Sequence, residues 1–245
     1  MQNPVHFIPI LTTALSIPFA VELFRRWREK PQARHLVWFA AGVALYGVGT
    51  FTEAYTTLAG WSEPVFRAWY IAGALLGGAP LAQGAVYLHL KRRTADRLSV
   101  RLLAVVAVAA TFVLLTPINH ALVETHRLSG RVMEWSWVRA FSPVINLYAA
   151  SFLIGGAVIS AVRFSRKRTT RHRMIGNILI AVGALLPGIG GSATRFGHVE
   201  VLYVTELFGL LLIWAGYRMN VSPAPSAAPA EARFGGSLPT AEPGV

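Results

Sequence analysis

The sequence LLAVVAVAATFVLL, residues 102–115, shows what kind of fold this chain adopts. The stretch carries no charge, and its only hydroxyl group belongs to Thr111. In the hydrocarbon core of a bilayer every backbone polar group must find a partner within the protein, and this stretch lacks the polar alternation of a barrel strand. It therefore predicts a transmembrane α-helix.

The rest of the chain repeats this pattern. Of its 245 residues, 54% are hydrophobic and 14% are charged, which is too apolar for a typical soluble domain. A membrane-spanning helix needs about 20 mainly apolar residues. Stretches of roughly that length occur at residues 5–24, 35–58, 65–90, 100–117, 138–164, 174–193 and 199–217. The sequence therefore predicts one all-α domain, residues 1–220, built as a polytopic bundle of seven transmembrane helices.

Lys and Arg residues are distributed unevenly between the two predicted sides of the membrane. Most of the 23 basic residues lie at residues 25–34, 91–101 and 163–173, or after the last helix. Because cytoplasmic loops carry the excess of Lys and Arg, the N-terminus is predicted outside and the C-terminus inside. The charge lies in short runs between apolar stretches, so we expect contacts with anionic lipid headgroups rather than with nucleic acid.

Residues 221–245 differ in composition from the rest of the chain. They are rich in Pro, Ala, Gly and Ser, and so offer too little apolar surface to offset the entropy of ordering. We expect a disordered cytoplasmic tail that is too short to hold a kinase or nucleotide-binding domain.

The residue types that carry most membrane-enzyme chemistry are missing or scattered. The chain has no Cys, and its seven His residues are not paired at matching depths in the predicted helices. We therefore expect no haem, no metal and no other cofactor. The sequence contains no His-Glu-x-x-His or nucleophile-elbow pattern, and the predicted seventh helix has no Lys for a retinal Schiff base. Enzymatic activity has no support in these motifs.

The strongest functional signal is a set of polar residues inside the predicted membrane spans. Glu53, Asn146 and Glu206 lie in the second, fifth and seventh predicted helices, and Tyr203 precedes Glu206 on the same helix face. At 1.5 Å per residue, the three polar groups lie on the order of 8–11 Å below the outer boundary. The matching depth predicts that they converge.

An ionised side chain at this depth costs roughly 2–3 kcal/mol or more unless it is paired, protonated or hydrated. Arg139 and Arg195 lie at the outer ends of predicted helices and have long enough side chains to reach inward. One interpretation is an outward-facing polar pocket that binds a small ligand or relays protons. The other is a buried ion-pair network that fixes the order of the helices.

Glycine and proline mark two of the predicted helices. In the third, Gly73 and Gly77 allow close helix packing, Pro80 predicts a kink, and Gln83 requires a polar partner inside the bundle. The sixth contains LLPGIGG at residues 185–191, which is compatible with a simple kink or with an unwound outer half of the kind that transporters use.

Two regions of the sequence resemble known bacterial membrane proteins. RAWYIAGALL at residues 67–76, followed by LAQGAVYL at residues 81–88, is similar to a recurring helix of uncharacterised bacterial seven-helix proteins. The spacing of Trp38, Tyr46 and Glu53 resembles the seven-helix input regions of some bacterial histidine kinases. The resemblance implies a protein of the bacterial inner membrane and implies no particular chemistry.

Two functions remain open at this point. The first is a module that binds or senses a small molecule through an outward-facing polar pocket. The alternative is a transporter of small solutes, with or without proton coupling, which needs a path through both leaflets of the bilayer.

Overall fold

The computed structural model describes residues 4–165 and 171–221, apart from the side chain of Arg195. The prediction of a disordered tail concerns residues that lie outside this description, with the exception of Val221.

The described chain is built from helices. A 3₁₀ turn, Pro4–Phe7, leads into α1, Ile8–Glu29. The remaining helices are α2, Arg34–Ala59; α3, Glu63–Trp69; α4, Ala79–His89; α5, Arg92–Leu115; α6, Phe141–Ser165; α7, Arg171–Ala193; and α8, Val199–Val221. A π-helical segment, Tyr70–Leu75, continues α3 towards α4, so that both belong to one span. Within residues 4–165 and 171–221, seven spans are long and apolar enough to cross a membrane, which confirms the predicted all-α seven-helix bundle.

The helices pack mainly against their neighbours in sequence. α1 packs against α2 and α8, α7 lies between α6 and α8, and α2, α4 and α6 contact one another in series. α5 begins at Arg92 rather than at residue 100, and it packs against the third span from one side. This arrangement places α1, α2, the third span and α8 around a common interior.

The third span is interrupted, as Pro80 led us to expect, but the break lies just before the proline. The helical path ends after the π segment, and α4 restarts at Ala79 with Pro80 in its first turn. In a first turn the missing N–H of proline leaves no hydrogen bond unmade. At the break, a Cβ on Gly77 would lie 2.6 Å from the Gly73 carbonyl oxygen, so the chain requires glycine there.

α7 is continuous through Pro187, so of the two interpretations left open for LLPGIGG the unwound outer half does not apply. The helix is held along its length by close backbone contact with α8. A Cβ on Gly183 would lie 2.7 Å from the Gly209 carbonyl oxygen, and one on Gly176 would lie 2.8 Å from that of Gly216. These glycines, spaced seven residues apart on each helix, allow the two backbones to approach without intervening side chains.

Residues 116–140 form the long connection between α5 and α6, and they fold back onto the bundle. An isolated bridge joins Ile118 to Met133, and the side chains of Val132, Met133 and Val138 are buried. We call the end of the bundle covered by this connection the loop end. The opposite end, which carries the basic residues at the start of α5 and the end of α1, is called the basic end.

Candidate functional site

Close packing of three helices creates the position of Glu53. A Cβ on Gly49 would lie 3.0 Å from the Gly73 Cα atom, so the third span approaches α2 at backbone distance. On the other side, the Thr13 and Thr50 hydroxyls lie 2.9 Å apart and join α1 to α2. Glu53 lies on α2, one turn beyond these contacts towards the loop end.

The Glu53 side chain is buried, with 4% of its residue surface exposed. Its Oε1 atom accepts a hydrogen bond of 2.9 Å from the indole Nε1 of Trp69, which the approach of the third span brings within reach. Its Oε2 atom is buried and has no hydrogen-bond partner among the described residues. One half of the carboxyl group is therefore satisfied and the other half is not.

Glu206 lies opposite on α8. The two carboxyl groups are close enough to share a hydrogen bond, and Glu206 Oε2 is likewise buried and unpaired within the described chain. The Tyr46 hydroxyl donates a hydrogen bond of 2.9 Å to the backbone carbonyl of Glu206. This bond joins α2 to α8 on the side of the carboxyl groups that faces the basic end. The structure thus places Glu53 and Glu206 together, as a buried carboxyl pair.

Tyr203, also predicted for the site, lies one helical turn closer to the loop end and is buried. Its ring meets the His6 ring edge to face, with 6.0 Å between centroids. His6 Nε2 lies 3.4 Å from the Glu200 carboxylate, and Glu200 is partly exposed. A line of polar groups therefore leads from the surface of the loop end to the carboxyl pair.

The arginines near the loop end bond to other groups. Arg127 donates to the Thr194 carbonyl at 3.1 Å and approaches Glu124 at 3.5 Å. Arg67 forms an ion pair of 2.6 Å with Glu63. The bonds of Arg127 join the connection to the turn after α7, and the ion pair of Arg67 lies within α3.

The counter-charges suggested by the sequence are not seen beside the carboxyl pair. Arg139 is exposed, and its Nε atom donates to the Ser136 carbonyl at 3.3 Å. The side chain of Arg195 lies outside the described residues.

Asn146 forms hydrogen bonds to the third span and to Ser142 rather than to the carboxyl pair. Its amide donates to the Ala74 carbonyl at 3.0 Å and to the Ser142 hydroxyl at 3.1 Å, and Ser142 also donates to Ala74. Ala74 lies in the π segment just before the break, where a carbonyl loses its usual helical partner. Asn146 and Ser142 therefore satisfy backbone that the interruption leaves unpaired.

Sequence reasoning missed the part that Trp69 plays. As a Trp near a predicted helix end it is typical of an interface anchor. Its role as donor to Glu53 depends on the close approach of Gly49 and Gly73, two small residues on helices that are adjacent in sequence. In the sequence, that pair of glycines was the feature that could have indicated the contact between Trp69 and Glu53.

The seven long apolar helices among the described residues define a polytopic membrane protein. Residues 8–221 match the family described as the N-terminal 7TM region of histidine kinase, and the chain belongs to that family. No curated protein and no solved structure matches it. Membership places the chain with membrane sensing modules, in agreement with the resemblance noted in its second and third helices, and does not favour transport.

Proposed function

We propose that this chain is a sensing module of the bacterial inner membrane, and that its input is a positively charged species bound by Glu53 and Glu206. The smallest such species is a proton, and a small cationic molecule would share the same chemistry. The observation that carries the proposal is the pair of buried, unpaired Oε2 atoms on facing helices.

The charge balance of the site supports this assignment. Two ionised carboxylates side by side in a low-dielectric interior repel each other and lose their hydration. One proton between them forms an O–H···O bond that satisfies both unpaired oxygens at once.

The groups nearest the pair offer hydrogen bonds rather than a permanent positive charge. They are Tyr46 from α2, Trp69 from the third span and Tyr203 from α8. Further towards the loop end lie four more titratable or charged groups: Glu200, His6, His126 and Arg127. Of these, Arg127 carries a fixed charge, and its guanidinium is bonded to Thr194 and Glu124.

The pair gives the bundle a way to respond. With the positive species bound, α2 and α8 are drawn together at the level of Glu53 and Glu206. When it leaves, repulsion between the carboxylates pushes these helices apart. Because α8 packs along α7 and contacts α1, a displacement of α8 passes to both neighbours.

The experiment is a series of thermal unfolding measurements on the purified full chain from acidic to alkaline pH. If the folded protein holds a proton that the separated carboxyls of the unfolded chain release, stability falls as the pH rises. Glu206→Gln removes the repulsion and supplies an N–H donor, so its melting temperature should be less dependent on pH than that of the wild type. Glu134→Gln, in the exposed connection, is the matched control and should behave as the wild type does.

A second arm separates the proton from a larger cation. At alkaline pH, sodium or methylammonium chloride is added at constant ionic strength. Recovery of the wild-type melting temperature, without recovery in Glu206→Gln, identifies a site for a cation larger than a proton; no recovery identifies the proton. A wild type whose stability does not change with pH or cation, or a Glu206→Gln variant with an unchanged pH profile, contradicts the proposal.

The orientation of the module is tested separately. We place the loop end outside the cell and the basic end in the cytoplasm, on the basis of the positive-inside distribution of Lys and Arg. The natural chain has no Cys, so Ser129→Cys and Ser165→Cys each introduce a single thiol. An impermeant thiol reagent should label intact cells at position 129 and spare position 165; the reverse pattern would invert the orientation.

A further inference from the structure

A cleft at the basic end, between α1 and α8, is unrelated to the carboxyl pair. Its volume is about 670 Å³. Its charged lining consists of four basic and two acidic side chains, and its apolar lining includes Pro18, Val21 and Trp214. The basic residues are Arg25, Arg26, Lys30 and Arg218, and the acidic ones are Glu22 and Glu29.

Glu22 organises the wall of the cleft that α1 and α8 share. Its carboxylate accepts a hydrogen bond of 2.9 Å from Trp214 Nε1 and lies 3.3 Å from Arg218 Nε. The Arg218 guanidinium lies over the Trp214 ring, 5.4 Å from its centroid, and the ring stacks on Phe19. The negative charge of Glu22 is thus already matched by donors within this wall.

The positive charge that remains lies at the rim. Arg25 and Lys30 lie near the end of α1, and Arg26 lies over the ring of Tyr217, 5.9 Å from its centroid. Pro18 and Val21 lie on the preceding turns of the same helix, deeper in the span. The cleft is therefore cationic at its mouth and apolar further in, with a Trp ring at the level where the two meet.

We propose that this cleft binds one anionic phospholipid, with its phosphate held by Arg25 and Lys30 and an acyl chain lying along Pro18, Val21 and Trp214. Basic clusters close to the membrane surface attract anionic headgroups, and Trp rings favour the interface between headgroups and acyl chains. The apolar wall distinguishes a lipid from free phosphate, because an inorganic anion gains nothing from that surface. Such a lipid contacts α1 and α8 at once, and so stabilises the pairing of these two helices.

The test compares two double variants with the same loss of charge. Arg25→Gln with Lys30→Gln removes the proposed phosphate ligands. Lys91→Gln with Arg93→Gln removes two charges from the same end of the bundle, outside the cleft, and controls for general attraction to an anionic surface. Each protein is titrated with short-chain phosphatidylglycerol or phosphatidylcholine in mild detergent, and lipid retention is followed by native mass spectrometry.

The wild type and the control variant should retain one phosphatidylglycerol in preference to phosphatidylcholine, and the Arg25/Lys30 variant should bind it at least about tenfold more weakly. Equal weakening in both double variants would show a diffuse surface effect and overturn the proposal. A third arm adds inorganic phosphate: displacement of phosphatidylglycerol at comparable concentration would identify a free-anion site instead. The carboxyl pair lies in another part of the bundle, so this outcome is independent of the proposed sensing role.

Discussion

Two buried polar clusters lie within this bundle, and they differ in how completely they are bonded. In the first, Gln83 is fully buried and uses both ends of its amide. Its Nε2 atom donates to the Ala95 carbonyl at 3.1 Å and to the Ser99 hydroxyl at 2.8 Å, and its Oε1 accepts from Tyr148 at 2.5 Å. This cluster ties α4 to α5 and α6, and leaves neither end of the Gln83 amide without a partner.

In the second cluster, Glu53 and Glu206 each keep one buried oxygen without a partner in the described chain. A fully bonded amide network stabilises helix packing whatever the conditions, whereas an acid pair with unpaired oxygens depends on what it binds. The comparison teaches that burial and polarity alone do not distinguish the two clusters. The difference is that the acid pair, which we propose as the sensing site, keeps carboxyl oxygens free to bind a positively charged species.

The largest effect should come from breaking the hydrogen-bond network of Gln83. Gln83→Leu removes three hydrogen bonds and takes away the acceptor of the Tyr148 hydroxyl, whereas Ser99 keeps its bonds to Ala95 and Tyr87. We expect a loss of about 2–4 kcal/mol of stability, independent of pH. Thermal unfolding measures it, with Ser151→Ala on the exposed side of α6 as the control. A loss as small as that of the control would mean that the Gln83 network does not hold the helices.

A smaller loss should follow from separating the helices at the carboxyl pair. Gly49→Val places side-chain atoms against Gly73 and moves the third span away from α2, which lengthens the bond from Trp69 to Glu53. Overpacking of this kind costs about 1–3 kcal/mol. Gly188→Val on α7 is the matched control, because its Cβ meets open space. If both variants melt at the same temperature, close packing does not create the Glu53 site.

The smallest effect should come from removing one donor. Trp69→Phe keeps an aromatic ring but deletes the hydrogen bond to Glu53 Oε1, at an expected cost of about 1 kcal/mol. The cost should be greater at alkaline pH, where the carboxylate has the greatest need of a donor. Trp61→Phe is the control, since Trp61 Nε1 makes no hydrogen bond in the described structure. Equal effects of the two substitutions at every pH would remove Trp69 from the site.

The fold could be predicted from the sequence because the seven spans are defined by hydropathy, which is a local property. Glu53 and Glu206 could be singled out for the same reason, since the cost of a carboxylate depends on its depth in the membrane. The effect of Pro187 on its helix was harder to predict, because the continuity of α7 depends on the α8 backbone that packs against it. The spacing of Gly176, Gly183 and Gly190 carried that information in the sequence.

The hydrogen-bond partners of the long polar side chains could not be predicted from the sequence. Asn146 binds Ala74 because the third span changes to a π segment there, and no residue pattern specifies which carbonyl such a segment releases. Arg127 reaches Thr194 only through the folded path of the connection over the bundle. A flexible side chain has several acceptors within its reach, and the tertiary structure selects among them.

The central claim is that Glu53 and Glu206 together hold one positive charge, and infrared spectroscopy of the membrane-embedded chain tests it most directly. With a proton as the bound species, the wild type should show the carbonyl band of a single buried protonated carboxyl group, shifted on exchange into D₂O. The band should vanish in both Glu53→Gln and Glu206→Gln, because either substitution removes the need for the shared proton, and it should persist in Glu134→Gln. A wild-type spectrum without this band, in the absence of an added cation, or a band unchanged in either Gln variant of the pair, would contradict the account.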